Sequence, residues 1–287
     1  MTAIFKHELR GYIHAWSTYL FCAFLLLFVG VGAMLYNIES AVANFEYVLQ
    51  LVAIGLTVII PVLTMRSFAE EKRQKTDRLL YSLPLTTWQI VAGKYAAMLA
   101  VYFAPLAVTA IYPLIFSQYG EVYLLTAYGS LLAFFLMGAA LIAAGMFISS
   151  LTDSQGFAAG ISIALFLFNY YSVNLAESLS ASAFGAALGV GILALVLGAV
   201  VYKLTRSITI GYGVGMLILI AAIVTMLADA SALVRLLPQA MEALSLFGRF
   251  DAFVNGVFDM TSVVFYLSVV AFFLVLTVQS LEKRRYN

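Results

Sequence analysis

The chain has 287 residues, 64% of them hydrophobic and 10% charged, with 15 Lys+Arg against 14 Asp+Glu. Soluble domains carry about 25% charged residues, so this composition, with a mean hydropathy of +1.02, excludes that class. The single cysteine, Cys22, excludes an internal disulfide and a Cys-rich metal site, and inside an apolar block it reads as a small buried hydrophobe.

Residues 1–16 come first. Phe5, Leu9, Tyr12, Ile13 and Trp16 recur at helical spacing, while Lys6, His7, Arg10 and His14 take the other faces. A basic amphipathic helix of this kind lies in the membrane interface. His7 and His14 are read as solvated rather than metal-binding.

Eight apolar blocks follow at 17–36, 47–66, 88–116, 122–149, 156–175, 183–202, 208–228 and 260–281. Each reaches the ~20 residues that a membrane-spanning helix needs. Barrel strands would alternate polar and apolar residues over about 10 positions, and these blocks do not. The first block is too long for a signal h-region and lacks an A-x-A site, so it is kept as a span. The expectation is an all-α, polytopic integral membrane protein with about eight transmembrane helices. Residues 1–287 form one transmembrane domain, with 1–16 interfacial, 67–87 a cytoplasmic loop and 229–259 external.

Lys and Arg are retained in short cytoplasmic loops, which orients the chain. Eight spans place both termini and the loops at 67–87, 150–155 and 203–207 on one face. That face collects thirteen of the fifteen basic residues, leaving only Arg235 and Arg249 opposite. Both termini are therefore expected in the cytoplasm.

Glu46, Arg66, Lys94, Glu121 and Asp229 fall at span ends and are expected near water. No ionisable group is expected mid-span, which argues against a proton- or sodium-coupled carrier. Sodium sites built from carbonyls at broken helices stay open. The chain has no G-x-x-x-x-G-K-[ST] loop, H-E-x-x-H or G-x-S-x-G motif, so any chemical energy must come from another polypeptide. Gly156–Gly160 and Gly185–Gly189 are G-x-x-x-G pairs, which permit close helix approach; packing within the chain is expected, with a subunit contact as the alternative. Pro61, Pro105 and Pro113 are expected to bend their helices.

Phe166, Phe168, Asn169, Tyr170 and Tyr171 cluster toward the outer end of the fifth block. Two readings stand: an aromatic belt, and a hydrophobic gate on a substrate pathway. In the external segment, Leu233, Leu237, Ala240, Leu244 and Phe247 form one helical stripe; Phe250, Phe253, Val254 and Val257 begin a second. Short amphipathic helices dipping into the outer leaflet fit this pattern, as plain anchors or as a lid over an exit.

The longest polar excursion holds Glu70–Pro84, EEKRQKTDRLLYSLP, with seven charges in its first nine residues. Residues 68–81 contain no glycine or proline, which predicts a short helix with Glu71 and Lys75 as an i, i+4 pair. Thr86 and Gln89 predict a capping box opening the next span. Interleaved acids weaken attraction to lipid headgroups, so mixed charge at this density suits a protein partner.

The run FAEEKRQKTDRLLYSLPLTTWQIVAGKYAA resembles the signature loop of type-2 ABC transporter permeases. In that family it reads approximately as acidic, basic, glycine, threonine, acidic-x-leucine, then proline, a span-opening segment and glycine-lysine. Glu70, Glu71, Arg73, Thr76, Asp77, Leu79, Leu80, Pro84, Gly93 and Lys94 match. IFKHELRGYI, SSLTDSQGFAAG and LSLFGRFDAFVNGVFDMTSVVFY agree as well, and the chain looks closest to the gliding-motility and nitrous-oxide-reductase-maturation branch. It departs from the family twice. Lys75 stands where the family commonly has glycine, so a helical continuation is expected there. The blocks at 183–202 and 208–228 add a pair to the usual six spans.

The resemblance implies a permease subunit of an ABC exporter in the bacterial cytoplasmic membrane, paired with a cytoplasmic ATPase and a second permease copy or homologue. Membrane lipids are its other neighbours; no cofactor and no nucleic acid are implied. Residues 1–16 would be the elbow helix and 67–87 the coupling loop. Glu70, Glu71, Lys72, Arg73, Thr76, Asp77, Arg78, Leu79 and Leu80 would carry the ATPase contact, with Thr152, Asp153 and Gln155 as a second one. Charge-free spans favour an apolar or amphipathic cargo. A self-sufficient carrier or channel, and a membrane scaffold or immunity subunit, remain as alternatives.

Overall fold

The computed structural model describes residues 2–40, 42, 44–75, 86–180 and 230–285, and scattered positions between 181 and 229. The elements are α1 (Thr2–His14), α2 (Trp16–Gly32) continuing as a π-helix (Ala33–Glu39), α3 (Glu46–Thr64), α4 (Ala69–Gln74), α5 (Thr87–Thr109), α6 (Tyr112–Phe116), α7 (Leu124–Leu151), α8 (Gln155–Leu179), α9 (Ala230–Leu244), α10 (Leu246–Val254) and α11 (Met260–Arg285). Among the described residues there is no strand, and 6 helices are long and apolar enough to cross a membrane. Each matches a predicted block to within about a turn, except that the helix opening the block 88–116 ends at Thr109. The expected spans at 183–202 and 208–228 lie, apart from those scattered positions, outside the described residues.

Contacts divide the chain into two units, Met1–Phe168 with Arg249–Asn287, and Asn169–Gly248. In the first, the 28-residue α7 is the central helix, packed against α3, α5 and α11. Its small residues make close packing possible. A Cβ at Gly138 would lie 2.3 Å from the Tyr102 hydroxyl, so the glycine is the seat of that ring. Tyr102 is wholly buried and donates to the Phe134 carbonyl at 2.9 Å; Tyr95 donates to the Ala139 carbonyl at 3.1 Å. Both hydroxyls of α5 are thus satisfied on the backbone of α7, where water is excluded.

Gly156 and Gly160 behave differently from expectation. A Cβ at either would meet nothing within 4 Å among the described residues, so no described residue packs on this pair. Gly185 is half-buried and Gly189 buried. Pro61 and Pro105 lie inside α3 and α5, whereas Pro113 sits in the first turn of α6, where its missing N–H costs nothing. The predicted block 88–116 is accordingly broken at Ala110–Ile111.

The second external stripe also departs from expectation. Phe250, Phe253 and Val254 of α10 are buried against the bundle and do not dip into lipid. Ser130 of α7 donates to the Phe253 carbonyl at 2.9 Å, and Gln50 of α3 donates to Asp251 at 3.0 Å. Phe250 meets Phe134 edge-on at 5.9 Å, and Arg249 lies 4.1 Å above the Phe265 ring. In the second unit, Met241 of α9 packs on Ala176 and Leu179 of α8, and Leu244 is exposed. The side chains of Leu233 and Leu237 are outside the described residues.

Candidate functional site

A six-residue charged helix cannot persist by propensity alone, because helices this short do not recover their nucleation cost. Tertiary contacts hold α4. Its N-cap, Phe68, offers no side-chain cap. Ser149, wholly buried on α7, takes that role: its Oγ accepts from the N–H groups of Phe68 and Ala69, both at 3.2 Å, and donates to the Met65 carbonyl at 3.1 Å. Lys72, also buried, donates to the Ser150 carbonyl. Glu70 and Glu71 in the first turn and Lys72 and Arg73 in the last complement the helix dipole.

The helix stops at Gln74. Lys75 adopts the left-handed conformation, φ 57 and ψ 22, with its N–H on the Glu71 and Lys72 carbonyls. The expected helical continuation is therefore wrong: the turn usually served by glycine is kept, and a lysine bears its strain. The expected Glu71–Lys75 pair gives way for the same reason. Lys75 has left the helix, and Glu71 turns to Lys94.

Lys94 is 2% exposed, not at a wet span end as expected. Its Nζ lies 2.6 Å from Glu71 Oε1 of α4 and 2.9 Å from Glu8 Oε1 of α1, with the Phe68 ring 5.4 Å away. One ammonium on α5 therefore joins α1 to α4. Its neighbour Gly93 admits α1: a Cβ there would fall 2.8 Å from Ile4 Cγ2. Glu46, the other supposed end residue in α3, is also buried, at 1% exposed.

A second ion pair lies beside the first. Arg66 forks onto Glu70, with Nε at 2.8 Å and Nη2 at 3.4 Å, and donates from Nη1 to Ser17 at 3.3 Å. Gln74 donates to Glu70 at 3.3 Å. The phenol of Tyr12 is pushed up in pKa, first by burial and then by the Glu8 and Glu71 carboxylates.

Of the residues expected to meet a partner, Glu70, Glu71 and Lys72 are thus engaged inside the chain. Arg73 is exposed and makes no ion pair among the described residues. Thr76, Asp77, Arg78, Leu79 and Leu80 lie outside the described residues. The second loop stands at the same end as α4, linked through Lys72 and Ser150. There Thr152 Oγ1 accepts from the Ser154 N–H at 3.2 Å, Asp153 is exposed, and Gln155 opens α8.

The aromatic group of α8 does not act as one surface. Phe166 is buried at 4%, while Phe168 and Tyr171 are exposed at 51% and 49%. Tyr170 lies edge-on to Tyr171 at 4.9 Å and to Phe247 at 5.1 Å. Asn169 ties the break between α9 and α10. Its Oδ1 accepts from the Leu246 N–H at 3.0 Å, its Nδ2 donates to the Leu244 carbonyl at 3.3 Å, and its own carbonyl accepts from Ser245 at 3.4 Å.

Sequence reasoning missed Glu8, Ser17, Ser67 and Ser149. The available signal was Lys94 itself, seven residues past the start of α5 and hence about 10 Å along it, too deep for a solvated end.

The fold is that of a multi-pass helical membrane protein with a polar junction beneath its central helix. Residues 30–173 match the family model described as ABC-2 family transporter protein. The chain belongs to this family, whose members are transmembrane components that typically work with an ATPase subunit and are not themselves catalytic. No curated protein and no solved structure matches it.

Proposed function

We propose that the chain is the permease subunit of an ATP-driven exporter, with α4 as the helix that receives motion from a separate cytoplasmic ATPase. The observation that carries this reading is the Lys94 junction. A displacement of α4 is passed through one buried ammonium to α1 and α5 together, and through Ser149 and Lys72 to α7. Arg73 at the exposed tip, with Thr76, Asp77, Arg78, Leu79 and Leu80, supplies the contact with the ATPase; Thr152, Asp153 and Gln155 add the second.

The same reading places both termini in the cytoplasm of a bacterium, with eight spans in the inner membrane, since thirteen of fifteen cations then face inward. A second permease copy or homologue completes the transporter. The cargo is apolar or amphipathic, and Phe166, Phe168, Asn169, Tyr170 and Tyr171 border its route beneath the external helices. The test is reconstitution of the chain with its ATPase in proteoliposomes. ATP-dependent cargo movement that is lost in Lys94→Gln, with ATP hydrolysis retained, is the expected result. Uphill transport by the chain alone on an ion gradient would overturn it.

A further inference from the structure

An open groove of about 310 Å³ runs between α1 and α4. Glu8, Gly11 and Tyr12 form one wall and Glu70, Glu71 and Gln74 the other. Arg66, Ser67 and Lys94 lie at its base. Its size is at the small end of the ~300–1,000 Å³ range of ligand pockets, which suits one side chain better than a large molecule.

The charge of the groove selects its occupant. Among the described residues its lining carries three carboxylates, Glu8, Glu70 and Glu71, against two fixed cations, Arg66 and Lys94, with the His7 imidazole beside them. Both cations are committed. Lys94 is buried beneath Glu8 and Glu71, and Arg66 is forked onto Glu70. The carboxylates keep exposed edges, with side chains 18%, 26% and 22% exposed for Glu8, Glu70 and Glu71. Lys6 and Arg10 of α1 are exposed and lie outside the lining. At the base, Ser67 is 4% exposed and its Oγ has no hydrogen-bond partner among the described residues. A buried serine hydroxyl left unpaired keeps its acceptor lone pairs, as well as its O–H, available to a ligand.

We propose that this groove receives one cationic side chain, a lysine or an arginine, presented by the partner ATPase, with its charge between Glu8 and Glu70 and one N–H on Ser67 Oγ. This deepens the coupling reading above and rests on it. The contact would let the ATPase grip α1 and α4 at once. An anionic lipid headgroup is disfavoured by the same carboxylates.

Gly11 gives a way to test the charge without disturbing any bond described here. A Cβ at Gly11 meets nothing within 4 Å among the described residues, so a side chain can leave the backbone there without a clash at its root. The measurement is the affinity of the purified ATPase for the full chain in lipid nanodiscs. Gly11→Lys places an internal cation in the groove and is expected to weaken binding at least tenfold. Gly11→Gln, of similar length but neutral, is expected to stay within threefold, and Gly11→Glu to match or exceed the wild-type affinity. Equal weakening by Lys, Gln and Glu would mean a steric contact of no charge preference and would overturn the proposal. A flat series would overturn it too. If Arg73→Glu weakens binding while the Gly11 series is flat, the coupling reading survives and only the groove falls. If the wild-type chain binds no ATPase, the coupling reading itself fails, and the groove with it.

Discussion

Lys94 of α5 and Glu71 of α4 meet at 2.6 Å, and the same ammonium holds Glu8 of α1 at 2.9 Å. The position is 2% exposed, so the amine cannot be replaced by water. Removing one partner of a buried pair typically costs about 3–5 kcal/mol, because the other charge is left uncompensated. Lys94→Met leaves two carboxylates facing each other, so it should fall in that range. Glu8→Gln should cost less, since Glu71 still answers the lysine. Thermal unfolding in detergent checks the order, and equal losses from the two variants would contradict it.

Lys75 gives a prediction of opposite sign. A left-handed residue with a Cβ carries strain of about 1–2 kcal/mol, and glycine does not. Lys75→Gly should raise the midpoint of unfolding, and Lys75→Val should lower it. Cysteine-accessibility or hydrogen-exchange measurements over 69–75 would locate the change in α4.

A single glycine and a glycine pair separate packing from coincidence. Gly138→Ala drives a methyl group into Tyr102, an overpacking that typically costs about 1–3 kcal/mol. Gly156→Ala and Gly160→Ala enter open space and should change the stability of the isolated chain by no more than about 0.5 kcal/mol. Unfolding midpoints of the three variants in one detergent give the comparison.

Asp259 predicts a pH dependence. Its carboxylate accepts from the Ser262 hydroxyl, from the Thr261 N–H at 2.9 Å and from the Ser262 N–H at 3.0 Å, capping α11. These bonds, the Ser262 hydroxyl first, hold its pKa below the ordinary carboxylate value. A lowered folded value means that the contribution is present above the unfolded value of about 3.9 and is lost as pH falls through the folded one. Asp259→Asn should therefore unfold more readily than wild type at neutral pH, with the difference closing on acidification.

Asn169→Leu should loosen the joint between α9 and α10, since it removes the side-chain bonds from Asn169 to the Leu246 N–H and the Leu244 carbonyl. The Leu244 bond is exposed, and a hydrogen bond lost where water can replace it costs about 0.5–1.5 kcal/mol. Faster hydrogen exchange over 244–248 is the expected sign; unchanged exchange would mean that solvent already satisfies both groups.

These sites differ in how far the sequence discloses them. The spans are legible because hydropathy is a property of the segment itself. The Thr86–Gln89 capping box is legible for the same reason, and both of its bonds are present. The Lys94 junction is not, because it depends on which face of α5 meets α1, a fact set by Ile4 against Gly93 and not by any local pattern. The end of α4 is not legible either, because left-handed strain at Lys75 leaves no mark in composition. The burial of α10 was likewise hidden: a stripe of phenylalanines looks the same whether it faces lipid or a neighbouring helix.

Ser149 carries one further implication. A single hydroxyl serves three main-chain groups around the start of α4, so that helix has no hinge of its own at its root. Under the coupling proposal, a displacement of α4 would then either carry the long middle helix with it or break those links.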